Sequence, residues 1–291
     1  MPRGSPDRGS ARGNRRVRPR ARVDHELEAG TTAHYEDPAY YTSAYRRRQD
    51  DVHYYVALAA GRGGPVLEYG CGNGRITIPM ARAGVEVTGV DRSGPMLADL
   101  RRRLRAEPDE VRRRVSLRRG DMRRTRVDAR FPLVVCPFNA FLHLYTREGV
   151  EHFLARVREA LTPRGELVFD VSMPEPAELA RDPARSLSAG RFRYPAQGGQ
   201  GPLVRYSERF DYDRLRQVLF VAMEFTPTDG SDPWMTPLAH RQFHPQELEA
   251  LLHYNGFAVA ERHGDFSGGP LTSRSETMVL HCRRRGRGVG A

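Results

Sequence analysis

Pro65-Val66-Leu67-Glu68-Tyr69-Gly70-Cys71-Gly72-Asn73-Gly74 is the stretch that decides how this chain is read. A short apolar run closes on an acid, Glu68, and glycine then takes every second position. That is the pattern of a buried strand running into a tight turn whose bare backbone a ligand can approach. Arg75 to Ala83, stopped by Gly84, predicts a helix behind the turn. A G-x-G-x-x-G dinucleotide fingerprint would need glycine where Arg75 stands, so a nicotinamide or flavin reading loses its main support. The turn predicts a cofactor loop of another kind.

Reading outward, the run Val85 to Val90 ends at Asp91, near the roughly 20-residue offset at which a nucleoside-binding α/β unit places an acid for ribose hydroxyls. Val115 to Arg119 leads into Gly120-Asp121-Met122, and Leu133 to Cys136 into Pro137-Phe138-Asn139. Helices are predicted over Ser93 to Arg105 and, capped by Thr146 and stopped by Pro163 and Gly165, over Arg147 to Leu161. Glu166 to Val171 makes a fifth strand. Strands alternating with helices imply a parallel sheet, and polar groups at the strand ends imply a ligand at its carboxyl edge. Upstream, Tyr40 to Ala60 reads as one helix rich in tyrosine, broken by Gly61-Arg62-Gly63-Gly64.

After Ser172 the pattern changes. Val204 to Tyr212 alternates with period two, and Gln217 to Phe225 and Leu238 to Phe243 are further strand candidates, together an antiparallel insert. A helix opening at His244-Pro245 and ended by Gly256, then strands at Phe257 to Arg262 and Thr277 to Cys282, complete the chain. The expected division is a disordered Arg-rich tail over 1–25, a helical lid over 26–64, a ligand-binding domain over 65–282 with its insert at 172–244, and a basic tail over 283–291.

The net charge of +11 invites a nucleic-acid reading, but residues 1–22 hold eight Arg and one Asp and residues 283–291 hold four Arg and no acid, which accounts for the whole excess. The span between is formally neutral, and every basic residue in the chain is Arg, which points to a codon bias more than to phosphate contact. Cys71, Cys136 and Cys282 have neither paired nor metal-ligand spacing, so a reducing, cytoplasmic compartment and no metal site are expected. No run approaches the roughly 18 apolar residues of a membrane span.

Glu68-x-Gly70-x-Gly72-x-Gly74, Asp91, Gly120-Asp121-Met122 and Pro137-Phe138-Asn139, taken in that order, resemble the class I S-adenosylmethionine-dependent methyltransferases across about residues 35–282. The pattern is most similar to the small-molecule branch with an antiparallel platform after the fifth strand, such as the sugar-amine N-methyltransferases. The resemblance implies an α/β, doubly wound, Rossmann-like sheet of seven strands, the last antiparallel, with a β insert after the fifth. It implies S-adenosylmethionine as cofactor, a small-molecule acceptor, and room for a homodimer through the platform.

By matching position, the resemblance implies that Glu68, Gly70, Cys71 and Gly72 line the methionine and ribose side and that Arg75 reaches the methionine carboxylate. Asp91, with Arg92 beside it, would hold the ribose hydroxyls, Met96 would pack on adenine, and Asp121 with the Met122 backbone would read the adenine edge. Asn139 would close the fourth strand end. One departure is Pro132, where similar proteins often carry Asp; proline is acceptable near a strand start.

Methyl transfer from a sulfonium is an in-line displacement at an already activated carbon, so alignment and water exclusion matter most. His143, after the fourth strand, matches a histidine at that place in the sugar-amine enzymes and is the candidate base or positioning residue. Tyr41, Tyr45, Tyr206, His240 and Arg241 are candidate acceptor contacts. Cys136 precedes Pro137, the reverse of the order in cytosine methyltransferases, and Pro137-Phe138-Asn139-Ala140 replaces the N-P-P-Y motif of base-amino methylation. Two other readings stay open: an RNA or DNA methyltransferase that uses the Arg tails, and a noncatalytic S-adenosylmethionine-binding module.

Overall fold

The computed structural model describes residues 24–196 and 199–286. The expected N-terminal tail to Val23 and the end of the C-terminal tail lie outside them. Three helices come first: α1 (His25–Thr32), α2 (Pro38–Tyr45) and α3 (Asp50–Arg62), with a 3₁₀ turn at Ala33–Tyr35 between the first two. The single helix expected over Tyr40 to Ala60 is thus two. Asp37 caps α2 by accepting the Ala39 and Tyr40 N–H groups, and Asp50 and Asp51 suit the positive end of a new helix at α3.

The wound sheet follows in the expected alternation. β1 (Val66–Tyr69), α4 (Thr77–Arg82), β2 (Val87–Asp91), α5 (Gly94–Arg105) and α6 (Asp109–Arg113) lead to β3 (Val115–Arg119). β4 (Phe131–Cys136), α7 (Arg147–Ala160) and β5 (Leu161–Ser172) complete the parallel part. Along β4 the pleat sends Leu133 and Val135 to the face covered by α3 and α4. Val134 and Cys136 go to the face covered by α7 and, later in the chain, by α9 (Pro245–Tyr254). Burial on both faces explains why β1 and β4 read as near-continuous apolar runs.

Between β5 and α9 lie a short helix α8 (Pro176–Leu179) and four strands, β6 (Leu187–Ala196), β7 (Gly199–Asp213), β8 (Val218–Pro227) and β9 (Trp234–Arg241), in an antiparallel sheet of order β6-β7-β8-β9. Three strands were expected here. The additional one, β6, is an edge strand interrupted by Gly190 and Pro195 and largely exposed, so it carries no clean alternation. The last insert strand ends at Arg241, ahead of the expected Phe243. Tyr40 of α2 packs onto this sheet, its ring stacked on Tyr194 at 5.2 Å and edge-on to Phe225.

β10 (Phe257–His263) and β11 (Thr277–Arg284) close the main sheet in the order β10-β11-β5-β4-β1-β2-β3, with β11 antiparallel to both neighbours. β11 runs two residues past the expected end, because Arg283 pairs with Glu166 and Arg284 lies opposite Phe257 in the ladder. Those arginines are therefore part of the fold and not of a tail. At the other end, α1 lies against β9 so closely that a Cβ on Gly30 would stand 2.5 Å from that of Ala239.

Candidate active site

The carboxyl ends of β1, β2, β3 and β4 face the first two helices across a cavity of about 460 Å³, within the usual range for small-ligand sites. Of the residues singled out from sequence, Gly70, Gly72, Asp91, Arg92, Met96, Asp121, Met122, Tyr41 and His143 line it. Gly70 sits at φ +74°, and a Cβ there would meet the Ala140 Cβ at 2.7 Å, so the turn after β1 tolerates only a bare backbone. The Gly72 N–H donates to Asp91 Oδ2 at 2.7 Å and the Ser93 N–H to Oδ1 at 2.8 Å. Burial pushes the Asp91 carboxyl above its usual range, against those two amides, and its remaining lone pairs suit a pair of hydroxyls.

Asp121 is gripped by Arg123, whose Nε donates to both carboxylate oxygens at 2.9 and 3.0 Å. Burial raises the Asp121 carboxyl, but the Arg123 bonds outweigh it and leave it below its ordinary value. Arg92 pairs with Glu28 of α1, so the first helix is tied to the cavity rim by charge.

Other expected residues lie outside the lining. Glu68 is buried beneath the turn and accepts the Thr77 hydroxyl at 2.6 Å; burial, against that bond, pushes its carboxyl up to about 8. Cys71 turns away into an apolar cluster with Leu97 and Leu100. Arg75 is held in two bonds by the buried Asp51 carboxylate, and its guanidinium carbon lies over the Phe138 ring, 4.1 Å from the centroid, so its charge is already matched. Asn139 commits its side chain to Ser172.

Tyr45 is directed to His34 at 3.0 Å, and Tyr206 donates to Glu208 within the platform. Arg241 is bound to the Tyr145 carbonyl, Gln217 and Glu247. His240 stands behind His143, ring centroids 5.1 Å apart.

Two contributors, Asp170 and Tyr35, were not singled out from sequence. Phe138 and Asn139 follow β4 at φ 57° and 61°, a strained left-handed pair for residues with side chains. Asp170 at the end of β5 holds them there, accepting the Phe138 N–H at 2.8 Å and the Asn139 N–H at 3.3 Å, and is braced by the Tyr55 hydroxyl at 2.7 Å. An acid closing a fifth strand was the available signal.

The other is Tyr35. Its hydroxyl lies 2.7 Å from His143 Nε2, and it lines the cavity. It sits in a three-residue turn, where no periodicity marks it. Tyr145 O–H donates to the Ala239 carbonyl at 2.9 Å, so His143 Nδ1, 3.0 Å from the same oxygen, carries the proton and donates. Nε2 is then bare and accepts from Tyr35. Burial, with His240 and His34 adding to it, drives the His143 pKa well below its ordinary value, so the imidazole is neutral.

A seven-stranded sheet of this order, a bare glycine turn clasped by an acid from the next strand, and a cavity over both form a site suited to a nucleoside-bearing cofactor. The bare turn and the free lone pairs of Asp91 fit S-adenosylmethionine.

Residues 66–165 match the family described as a methyltransferase domain. The chain is 27% identical over 227 residues to the cypemycin N-terminal methyltransferase of a Streptomyces species, covering 77% of this chain and 84% of that one. It is similar in structure to the CcbJ methyltransferase of Streptomyces caelestis, with a TM-score of 0.70 and 25% identity over 88% of this chain and 99% of that one. It is also similar to the glycopeptide N-methyltransferase MtfA in complex with S-adenosylmethionine, with a TM-score of 0.55 and 26% identity over 80% and 94%. The chain is an S-adenosylmethionine-dependent methyltransferase.

Proposed function

We propose that the enzyme methylates the nitrogen of a small amine acceptor that enters the cavity beneath α1 and α2. The neutral His143 carries this reading. A hydroxyl acceptor gains from a base near neutral pH, and an imidazole whose pKa is held well below 6.5 is a weak one. An uncharged amine already presents a lone pair and needs to be oriented.

The donor supplies an activated methyl group when bound. Asp91, Met96, Asp121 and the Gly70–Gly72 backbone would hold it, with Arg92 at the rim. Tyr35 and His143 do the work on the acceptor side. The Tyr35 proton is committed to His143 Nε2, which leaves the phenol oxygen free to accept an N–H from the acceptor and aim the nitrogen lone pair away from it. Tyr41 and the α1–α2 lid exclude water. The N-methyltransferase relatives support nitrogen as the target.

The amine acceptor is taken to be a small molecule because residues 23–282 carry no net positive charge for a polynucleotide. A homodimer through the platform and a reducing, cytoplasmic setting for the three buried free cysteines complete the proposal. Among the described residues no helix is long and apolar enough to cross a membrane.

A labelled-methyl assay over amines, amino sugars and phenols tests it. Transfer to amines is expected, with a pH profile that follows the acceptor's own pKa. Comparable kcat/KM on phenols would overturn the nitrogen assignment.

A further inference from the structure

We propose that Glu261, His263 and His281 form a site for a divalent transition-metal ion, zinc(II) foremost, on the face of the sheet that α3 covers. One donor atom from each of the three lies within 4.8 Å of the other two. The ladder explains the grouping. Glu261 stands opposite His281 across the antiparallel pair β10 and β11, and His263, two residues along, projects from the same face. A bulge between Val259 and Glu261 sets that register, and bulges commonly re-aim a side chain.

The two imidazoles are under-bonded. His263 Nδ1 is buried without a hydrogen-bond partner, His281 Nδ1 has only the Glu166 carboxylate at 3.4 Å, and the two rings are stacked with centroids 5.3 Å apart. His281 as a whole is 5% exposed. Leaving a buried polar atom unpaired costs about 1–3 kcal/mol, so the bare His263 nitrogen calls for an explanation. Glu261 Oε2 stands 3.4 Å from His263 Nε2 and gives the pair a carboxylate of its own.

Two imidazoles and a carboxylate are the donor set of zinc and its first-row neighbours. Bonds of about 2.0–2.2 Å in a tetrahedron put donors ~3.3 Å apart, so the groups close in by up to roughly 1.5 Å on binding. Glu261, with its side chain 53% exposed, has the freedom to do so. The Tyr54 hydroxyl, bonded to His281 Nε2, is the group an ion arriving on that side displaces. Glu166 stands 3.4 Å from His281 Nδ1, where a carboxylate commonly backs a metal-bound imidazole.

An open cleft of about 520 Å³, rimmed by Asp50, His53 and His263, gives the ion its path and leaves a coordination position for water. None of the residues lining that cleft lines the cofactor cavity, so the ion fastens β10 to β11 and takes no part in methyl transfer. Sequence spacing does not mark this group, because the two histidines lie on different strands and only pairing joins them.

Titration calorimetry of the untagged full chain with zinc(II) tests the site, with visible absorption of the cobalt(II) form as a second readout. One ion per chain is expected, with the intense absorption of four-coordinate cobalt. His263→Gln and Glu261→Gln, both at partly exposed positions, should each weaken binding by about tenfold or more and leave kcat/KM for methyl transfer unchanged. His152→Gln, on the exposed side of α7, should bind as wild type does. Absence of stoichiometric binding, or equal affinity in wild type and both site variants, would overturn the assignment.

Discussion

The Gly72 amide donates to the Asp91 carboxylate at 2.7 Å, which ties the turn after β1 to the end of β2. The acid proposed to hold the ribose is therefore also what holds the glycine turn in shape. On that proposal, cofactor recognition and local backbone conformation rest on one side chain, and Asp170 likewise fixes the strained turn after β4.

Gly70 gives the first prediction. At φ +74°, with a Cβ destined to meet Ala140 at 2.7 Å, Gly70→Ala should destabilise the protein by about 1–3 kcal/mol and abolish cofactor binding. Adding Ala140→Gly relieves the contact but not the backbone strain, so the double variant should recover only part of the stability. Urea denaturation of both checks this, and full recovery would mean that φ is not the constraint.

Asp170→Ala removes the acceptor of two amides in the Phe138–Asn139 turn and leaves the Tyr55 hydroxyl unpartnered. A loss of about 2–4 kcal/mol is expected, together with a fall in kcat/KM from displacement of the neighbouring Ala140 and His143. Wild-type kinetics in a variant of reduced stability would show that the turn serves the fold alone.

Tyr35→Phe keeps the ring and removes the hydroxyl that His143 accepts from. If the pair orients an uncharged amine, the variant should lose about tenfold to a hundredfold in kcat/KM, with the apparent pKa of the pH profile unmoved. His143→Gln, which keeps an acceptor, should be milder than His143→Ala. A pH profile that shifts in either variant would point to proton transfer and against the positioning role.

Acid stability follows from the buried histidines. Burial lowers His34, against a partial lift from Asp37, and His240, with His34 adding, each from 6.5 to about 4. A lowered pKa means that the unfolded chain binds more protons between those values, so stability is fully present above pH 6.5 and is lost as pH falls toward 4. At ~1.4 kcal/mol per unit, each histidine withdraws about 3 kcal/mol across that window. The raised Glu68 carboxyl works in the opposite direction, so the test is the difference: urea midpoints measured from pH 7 to 4 should fall less in His240→Asn than in wild type, and parallel slopes would refute the histidine contribution.

The sequence showed the sheet and the glycine-turn side of the cavity because those signals are local. An apolar run, a glycine turn and an acid at a fixed offset are set by a few neighbouring residues, and Asp91 lies where that pattern puts it. Arg75 was readable as a free cation only because Asp51, its buried partner on α3, lies 24 residues upstream. Tyr35 had no periodic signal, since its position depends on how α1 docks on β9. β6 escaped because an exposed edge strand does not need an alternating apolar pattern.

The account depends most on the glycine turn and Asp91 together holding S-adenosylmethionine, and titration calorimetry with that cofactor on wild type and Asp91→Ala tests it most directly. One cofactor per chain is expected for wild type, with affinity reduced by about tenfold to a hundredfold in the variant through loss of charge-assisted hydrogen bonds. Equal affinity in the two proteins would contradict it.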